Sequence, residues 1–188
     1  MKLILLRHEE RTYDVSFYSE LTEKGILGSL EIPKKLKKFG IKNGFNKIDI
    51  IYCSPFIRTL QTAYPLCKKF KKKVNLEYGL YEYLHNPFFL LQNWFYEKDD
   101  IKDRDLLGII DDNYKSVVEY TDFIILEDEE CLERRVVKFF DKIGDLHKDK
   151  TILIVSHKGV INKIKDLYVK KTDMDCDFPM GHFEYYEI

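Results

Sequence analysis

Apolar residues along this chain fall into two patterns. Short continuous runs at residues 3–6 and 152–155, and a similar one in Ile48-Asp49-Ile50-Ile51-Tyr52, have the signature of strands buried on both faces of a parallel sheet. Helical spacing appears between and after them. Thr22 is a suitable N-cap for a helix opening at Glu23, and Pro33 suits either a kink or the first turn of a second helix ending near Gly40. Ser54 can cap a further helix with Pro55 as its first residue, followed by Ile57, Leu60, Tyr64 and Cys67 on one stripe. The clearest stripe is Leu132, Arg135, Val136, Phe139, Phe140 and Ile143, with acidic residues 127–130 at its start and Lys142 near its end, as the helix dipole favours.

Strands alternating with helices predict a single α/β domain over residues 1–188, a three-layer α/β/α sandwich around a mostly parallel sheet, whose ligands collect beyond the carboxyl ends of the strands. Residues 85–120, rich in aromatics, Asn and Asp, break the alternation and read as an insertion over that end. Phe88, Phe89, Trp94, Phe95 and Tyr96 either pack this insertion or wall a binding site, and packing is the favoured reading.

Composition narrows the function classes. With 31 Lys and Arg against 32 Asp and Glu, bulk charge demands no anionic partner. Basic clusters at residues 34–38 and 68–73 carry no nucleic-acid motif and read as solvated helix faces, so nucleic acid is not expected as a partner. No apolar run approaches the roughly 20 residues of a membrane span, and Arg7, His8 and Glu9 interrupt the first run before a signal peptide core forms. A cytoplasmic protein is expected, with Cys53, Cys67, Cys131 and Cys176 as reduced thiols, since their spacing matches no zinc motif.

The chemistry sits at the strand ends. Arg7-His8 follows the first run, Ser156-His157 follows the last long one, and Ser54-Pro55 with Arg58 follows the intervening one. With neighbouring strands about 4.8 Å apart, these ends can gather two imidazoles and two or three guanidiniums around one anion-sized space. A phosphoryl group fits that space, and helix N-termini beginning there would add backbone N–H groups.

Five ordered segments then resemble the histidine phosphatase (phosphoglycerate mutase-like) superfamily: residues 6–11 (Leu-Arg-His-Glu-Glu-Arg), 21–25 (Leu-Thr-Glu-Lys-Gly), 54–63 (Ser-Pro-Phe-Ile-Arg-Thr-Leu-Gln-Thr-Ala), 79–82 (Gly-Leu-Tyr-Glu) and 155–159 (Val-Ser-His-Lys-Gly). The resemblance implies a phosphoglycerate mutase-like fold and hydrolysis of phosphate monoesters through a phosphohistidine on His8, without metal or organic cofactor. It implies Arg7, Arg58 and His157 as ligands of the non-bridging oxygens and Glu82 as the acid at the leaving oxygen. Arg11, Lys158 and Ser54 are candidate substrate contacts. Arg11 and residues 79–84 are most similar to the branch containing the suppressor of T-cell receptor signalling and ecdysteroid phosphate phosphatases, which favours hydrolysis over mutase-type transfer. A phosphorylated small molecule or a phosphoprotein would be the substrate, and a homodimer stays open.

The chain departs from that pattern at Glu9 and Lys158, where the family carries glycines after each histidine. A carboxylate about 5 Å from a phosphate oxygen costs roughly 3 kcal/mol at an effective dielectric near 20, about a hundredfold in anion affinity. Three readings follow: Glu9 and Lys158 pair and cancel; Glu9 points away while Lys158 meets substrate; or the site is impaired and the protein binds phospholigands without turnover. His85 is a candidate neighbour of Glu82, and His147 and His182 have no partner evident in the sequence.

Overall fold

The computed structural model describes residues 1–14, 16–91, 96–119, 126–169 and 178–188. Among the described residues, five strands form one sheet in the order β3-β2-β4-β1-β5. β1 (Lys2–Arg7), β4 (Thr151–Ser156) and β2 (Ile50–Cys53) lie side by side and parallel in its centre, with β3 (Asn75–Leu76) parallel on one edge. The apolar side chains of β1 and β4 are buried on both faces, as their continuous runs require. β5 (Phe183–Glu187), at the other edge, runs antiparallel to β1 and was not anticipated from the sequence.

The helices are α1 (Glu23–Lys42), α2 (Ile57–Phe70), α3 (Arg104–Gly108), α4 (Glu129–Leu146) and α5 (Lys158–Tyr168). Thr22 caps α1 as expected, accepting a hydrogen bond from the Gly25 N–H. Pro33 does not start a second helix. It lies buried inside a single 20-residue one, on the stripe of Gly25, Ser29, Ile32, Leu36 and Gly40, so packing carries the helix past the missing N–H. α4 fits the predicted stripe and is capped by Asp128.

Two boundaries differ from the sequence reading. β2 begins at Ile50, because Asp49 is used otherwise: its carboxylate accepts from the Thr151 N–H and pairs with Lys47. α2 begins at Ile57, two residues beyond the expected Pro55, and Ser54 does not cap it; the N-cap residue is Phe56, without a side-chain cap. The Ser54 hydroxyl is instead turned toward His157.

No helix among the described residues is long and apolar enough to cross a membrane. Cys53, Cys67 and Cys131 are free thiols, and burial pushes the Cys67 thiol up to about 12; Cys176 lies outside the described residues.

Candidate active site

Strand register builds the site. Arg7 is paired with Ser156 across β1 and β4, the His8 N–H donates to the Ser156 carbonyl, and the Ser54 N–H donates to the Val155 carbonyl. His8, His157 and Ser54 therefore sit at the carboxyl ends of three adjacent parallel strands. The His8 and His157 rings meet edge to face with centroids 5.2 Å apart, and Phe56 packs edge-on against His157 at 4.9 Å.

The orientation of each imidazole follows from its partners. His8 Nδ1 lies 2.8 Å from the Glu9 carbonyl oxygen, which can only accept, so Nδ1 carries the proton and Nε2 keeps its lone pair. His157 Nε2 is 2.9 Å from Ser54 Oγ; with that hydroxyl donating, the ring proton sits on Nδ1, 3.3 Å from Glu82 Oε2. That approach is close enough for an ion pair but off the hydrogen-bond line, so Nδ1 has no hydrogen-bond partner among the described residues. Ser54 is fully buried behind His157, a place that orients the ring instead of meeting a ligand.

Arg58 is 2% exposed, stacked 4.3 Å over the Phe56 ring, and donates to the Ser16 carbonyl. Its Nη2 reaches Glu82 Oε2 at 3.5 Å, while Nε has no partner among the described residues. Burial lowers this guanidinium to about 10 against the opposing pull of Glu82, which leaves it cationic at neutral pH. Burial alone would raise the Glu82 carboxyl, yet His157, Arg58 and His8 outweigh it and hold Glu82 far below the carboxylate range.

Both histidines are held neutral. Burial, then the fields of His157 and Arg58, push His8 well below 6.5. Burial, assisted by Arg58 and opposed by Glu82, pushes His157 down to about 4. In the unfolded chain both titrate near 6.5, so between about pH 4 and 6.5 the unfolded state binds more protons and stability rises with pH. Glu82, also depressed, adds a loss in the same direction at lower pH. Acidification from pH 7 to 5 is expected to remove on the order of 2 kcal/mol through His157 alone, about 4 to 8 °C in Tm. Thermal melts across this range check it; His157→Gln should flatten the slope, and inorganic phosphate should reduce the fall.

A cavity of about 360 Å³ opens from this cluster, lined by Arg58 and Glu82 and further out by Arg11, Lys158, Tyr83 and Phe89. Arg11 is braced by its own loop, donating to the Thr12 and Asp14 carbonyls. Phe89 is also part of a buried aromatic stack with Phe17, near Phe56, Tyr81 and Tyr96. Packing thus accounts for Phe89 and Tyr96, Phe88 is exposed, and Trp94 and Phe95 lie outside the described residues. Arg7 stands at the same strand end, with Nη1 donating to the Phe178 carbonyl.

Glu9 turns away from the cavity. Its carboxylate fills a niche between Gly28 of α1 and Gly181, where an added Cβ would come within 2.7 and 2.2 Å of it. Burial raises its pKa, and the cation acting on it most is Lys35, not Lys158. The pairing of Glu9 with Lys158 is therefore not formed. Glu9→Gln is expected to change inorganic phosphate affinity by less than about twofold, against about a hundredfold for a carboxylate beside the anion; calorimetry checks it.

Sequence reasoning missed the groups that hold Glu82. Arg135, buried on α4, forms a two-pronged pair with Glu127 at 2.6 and 2.9 Å and donates to the carbonyls of Gly79, Tyr81 and Glu82. Glu127 in turn accepts from the Leu84 N–H. An arginine inside an otherwise apolar stripe was the signal available. His147 has a partner after all, Tyr52 Oη at 2.9 Å, and His85 is held by the Tyr83 carbonyl at the cavity edge.

His8, Glu82 and His157 offer ligand atoms within 4.8 Å of one another, a set that can hold a metal ion. The buried Arg58 beside them, and the uncapped N-termini of α2 and α5 at the same strand ends, select an anion.

Fold and site together define an α/β protein with a largely buried cluster of histidine, arginine and glutamate at the carboxyl ends of its parallel strands. The match of residues 3–173 to the histidine phosphatase superfamily (branch 1) places the chain in that family. No curated protein matches it. Among solved structures it is similar to the ecdysone phosphate phosphatase of Bombix mori in complex with tungstate (16% identity, TM-score 0.64, 98% of this chain and 88% of that one). It is also similar to a putative alpha-ribazole-5'-P phosphatase from Escherichia coli (21% identity, TM-score 0.64, 100% and 91%). A third is the phosphoserine phosphatase of Entamoeba histolytica in complex with 3-phosphoglyceric acid (22% identity, TM-score 0.56, 98% and 89%). At these identities the likeness establishes the fold.

Proposed function

We propose that this protein hydrolyses phosphate monoesters through a phosphohistidine on His8. The observation that carries the reading is the hydrogen bond from His8 Nδ1 to the Glu9 carbonyl, which leaves Nε2 unprotonated in a cluster that binds anions. Nε2 attacks phosphorus in line, the P–N bond forms as the ester P–O bond breaks, and Arg58, Arg7 and the His157 Nδ1–H stabilise the equatorial oxygens. Glu82 protonates the departing oxygen, then takes a proton from the water that attacks the phosphohistidine, releasing phosphate and restoring His8.

The depressed pKa of Glu82 rests on Arg58 and His157, which face it at 3.5 and 3.3 Å. A bound phosphoryl dianion engages the Arg58 guanidinium and the neutral His157 Nδ1–H and adds its own negative charge, so the carboxyl rises toward the range of an acid. As the dianion binds, the Glu82 carboxylate takes up one proton from solvent, and that proton goes to the leaving oxygen. The orientation of Glu9 away from the cavity favours an active enzyme over a phosphate-binding protein without turnover.

The test is a panel of phosphate esters, including aryl, sugar, nucleotide and phosphoserine substrates, assayed with excess chelator and with tungstate as inhibitor. Turnover inhibited competitively by tungstate is expected. Phosphate binding without turnover of any ester across pH 4 to 9 would overturn the reading.

A further inference from the structure

The two lysine clusters that the site does not use, some thirty residues apart in the chain, converge on one face. A cleft between α1 and α2, with a volume of about 1000 Å³, has walls bearing Lys34, Lys37 and Lys38 on one side and Lys68 and Lys69 on the other. Its floor is apolar, with buried Pro33 and half-buried Tyr64, Pro65 and Phe70, and exposed Leu30 and Ile41 add apolar surface along α1. A second hollow of about 380 Å³ continues it past Phe70, sharing Lys37, Ile41 and Lys69 and adding Lys47 and Lys72. Leu30 and Ile41, 58% and 76% exposed, offer apolar contact area among these charges.

The cleft is strongly cationic although the whole chain carries a net charge of −1. Glu31 is the one acidic residue among those lining the two hollows, and Lys34 reaches it at 3.8 Å. We propose that this cleft docks an acidic amphipathic helix of a partner protein, with apolar anchors on the floor and carboxylates against the lysine walls.

Charge and shape choose among occupants. A second copy across a twofold axis would set the same lysines against one another. A flat anionic bilayer meets the lysines but leaves the half-buried Tyr64, Pro65 and Phe70 between the two helices uncovered. A nucleic acid finds little to stack on, since the cleft's two rings, Tyr64 and Phe70, are half-buried and Lys68 Nζ stands 5.7 Å from the Tyr64 centroid. From Leu30 to Ile41 the cleft extends about 16 Å along α1, which matches about three turns of helix. Its lysine end lies about 16 Å along α2 from Arg58, so a docked helix leaves the catalytic cavity open.

The experiment uses the full chain and a fluorescein-labelled, stapled acidic helix of about three turns with leucines at i, i+4 and i+7, followed by anisotropy. Saturable binding is expected, weakened at least about tenfold by the triple charge reversal Lys34→Glu, Lys37→Glu, Lys69→Glu, and separately by Ile41→Ser. Hydrolysis of p-nitrophenyl phosphate should be unchanged in both variants, which also confirms that they fold. Equal binding of a control helix with alanines for leucines, or binding indifferent to the variants, would overturn the proposal. So would a preference for phosphatidylserine vesicles or single-stranded DNA over the helix, or a concentration-dependent dimer that Ile41→Ser dissolves.

Discussion

Replacing His8 with alanine is expected to lower the turnover of every ester the protein accepts by on the order of 10⁴-fold or more, because the attacking atom is removed and no second nucleophile replaces it. Inorganic phosphate should still bind within about tenfold of the parent affinity, since Arg58, His157 and the helix N-termini remain. That separation of binding from turnover is the signature. A uniform loss of both would mean that His8 serves to build the site and not to react. His8→Ala also removes a buried neutral imidazole, so part of the acid sensitivity of the fold should go with it.

The second large effect lies away from the reacting atoms. Arg135→Met leaves Glu127 buried without its cation and strips a donor from the carbonyls of Gly79, Tyr81 and Glu82. Breaking such a pair from one side costs about 3 to 5 kcal/mol, a large share of the stability of a domain this size. Denaturant unfolding measures that cost. Catalysis should suffer in a specific way if the clamp positions the general acid: alkyl phosphates, which need protonation on leaving, should lose more kcat than p-nitrophenyl phosphate, whose leaving group does not. Arg135→Lys restores the charge without the fork and should recover stability better than it recovers the alkyl ester rate. Equal losses on both esters would reduce Arg135 to a structural role.

Much of this architecture was legible because the local code and the tertiary fold agree. The runs at 3–6 and 152–155 can be satisfied only by burial on both faces, and they became β1 and β4, paired residue for residue. Their ends brought His8 and His157 together without need of any further signal. The misreadings occurred where a polar side chain had a distant partner. Ser54 has the chemistry of an N-cap, but its fully buried hydroxyl is bonded to His157 Nε2, a partner about a hundred residues away that the local sequence does not reveal.

Pro33 has the same lesson, since a stripe of buried neighbours on α1 outweighed one missing hydrogen bond. The last strand escaped notice because residues 183–187 are only half-buried at an edge, where alternation is weak and pairing to β1 supplies the order. Glu9 shows the limit of reading a departure by position alone. It is next to His8 in sequence, yet Gly28 and Gly181, far along the chain, provide the niche that takes its carboxylate away from the cavity.

The covalent intermediate is the most direct point of measurement. Rapid acid-free quenching of the enzyme during turnover of a ³²P-labelled ester, followed by proteolysis under alkaline conditions, should recover label on the peptide containing His8. The linkage should be stable to base, labile to acid, and lost in His8→Ala. Label accumulating on serine or on His157, or turnover without a labelled enzyme at any time before the steady state, would contradict the account.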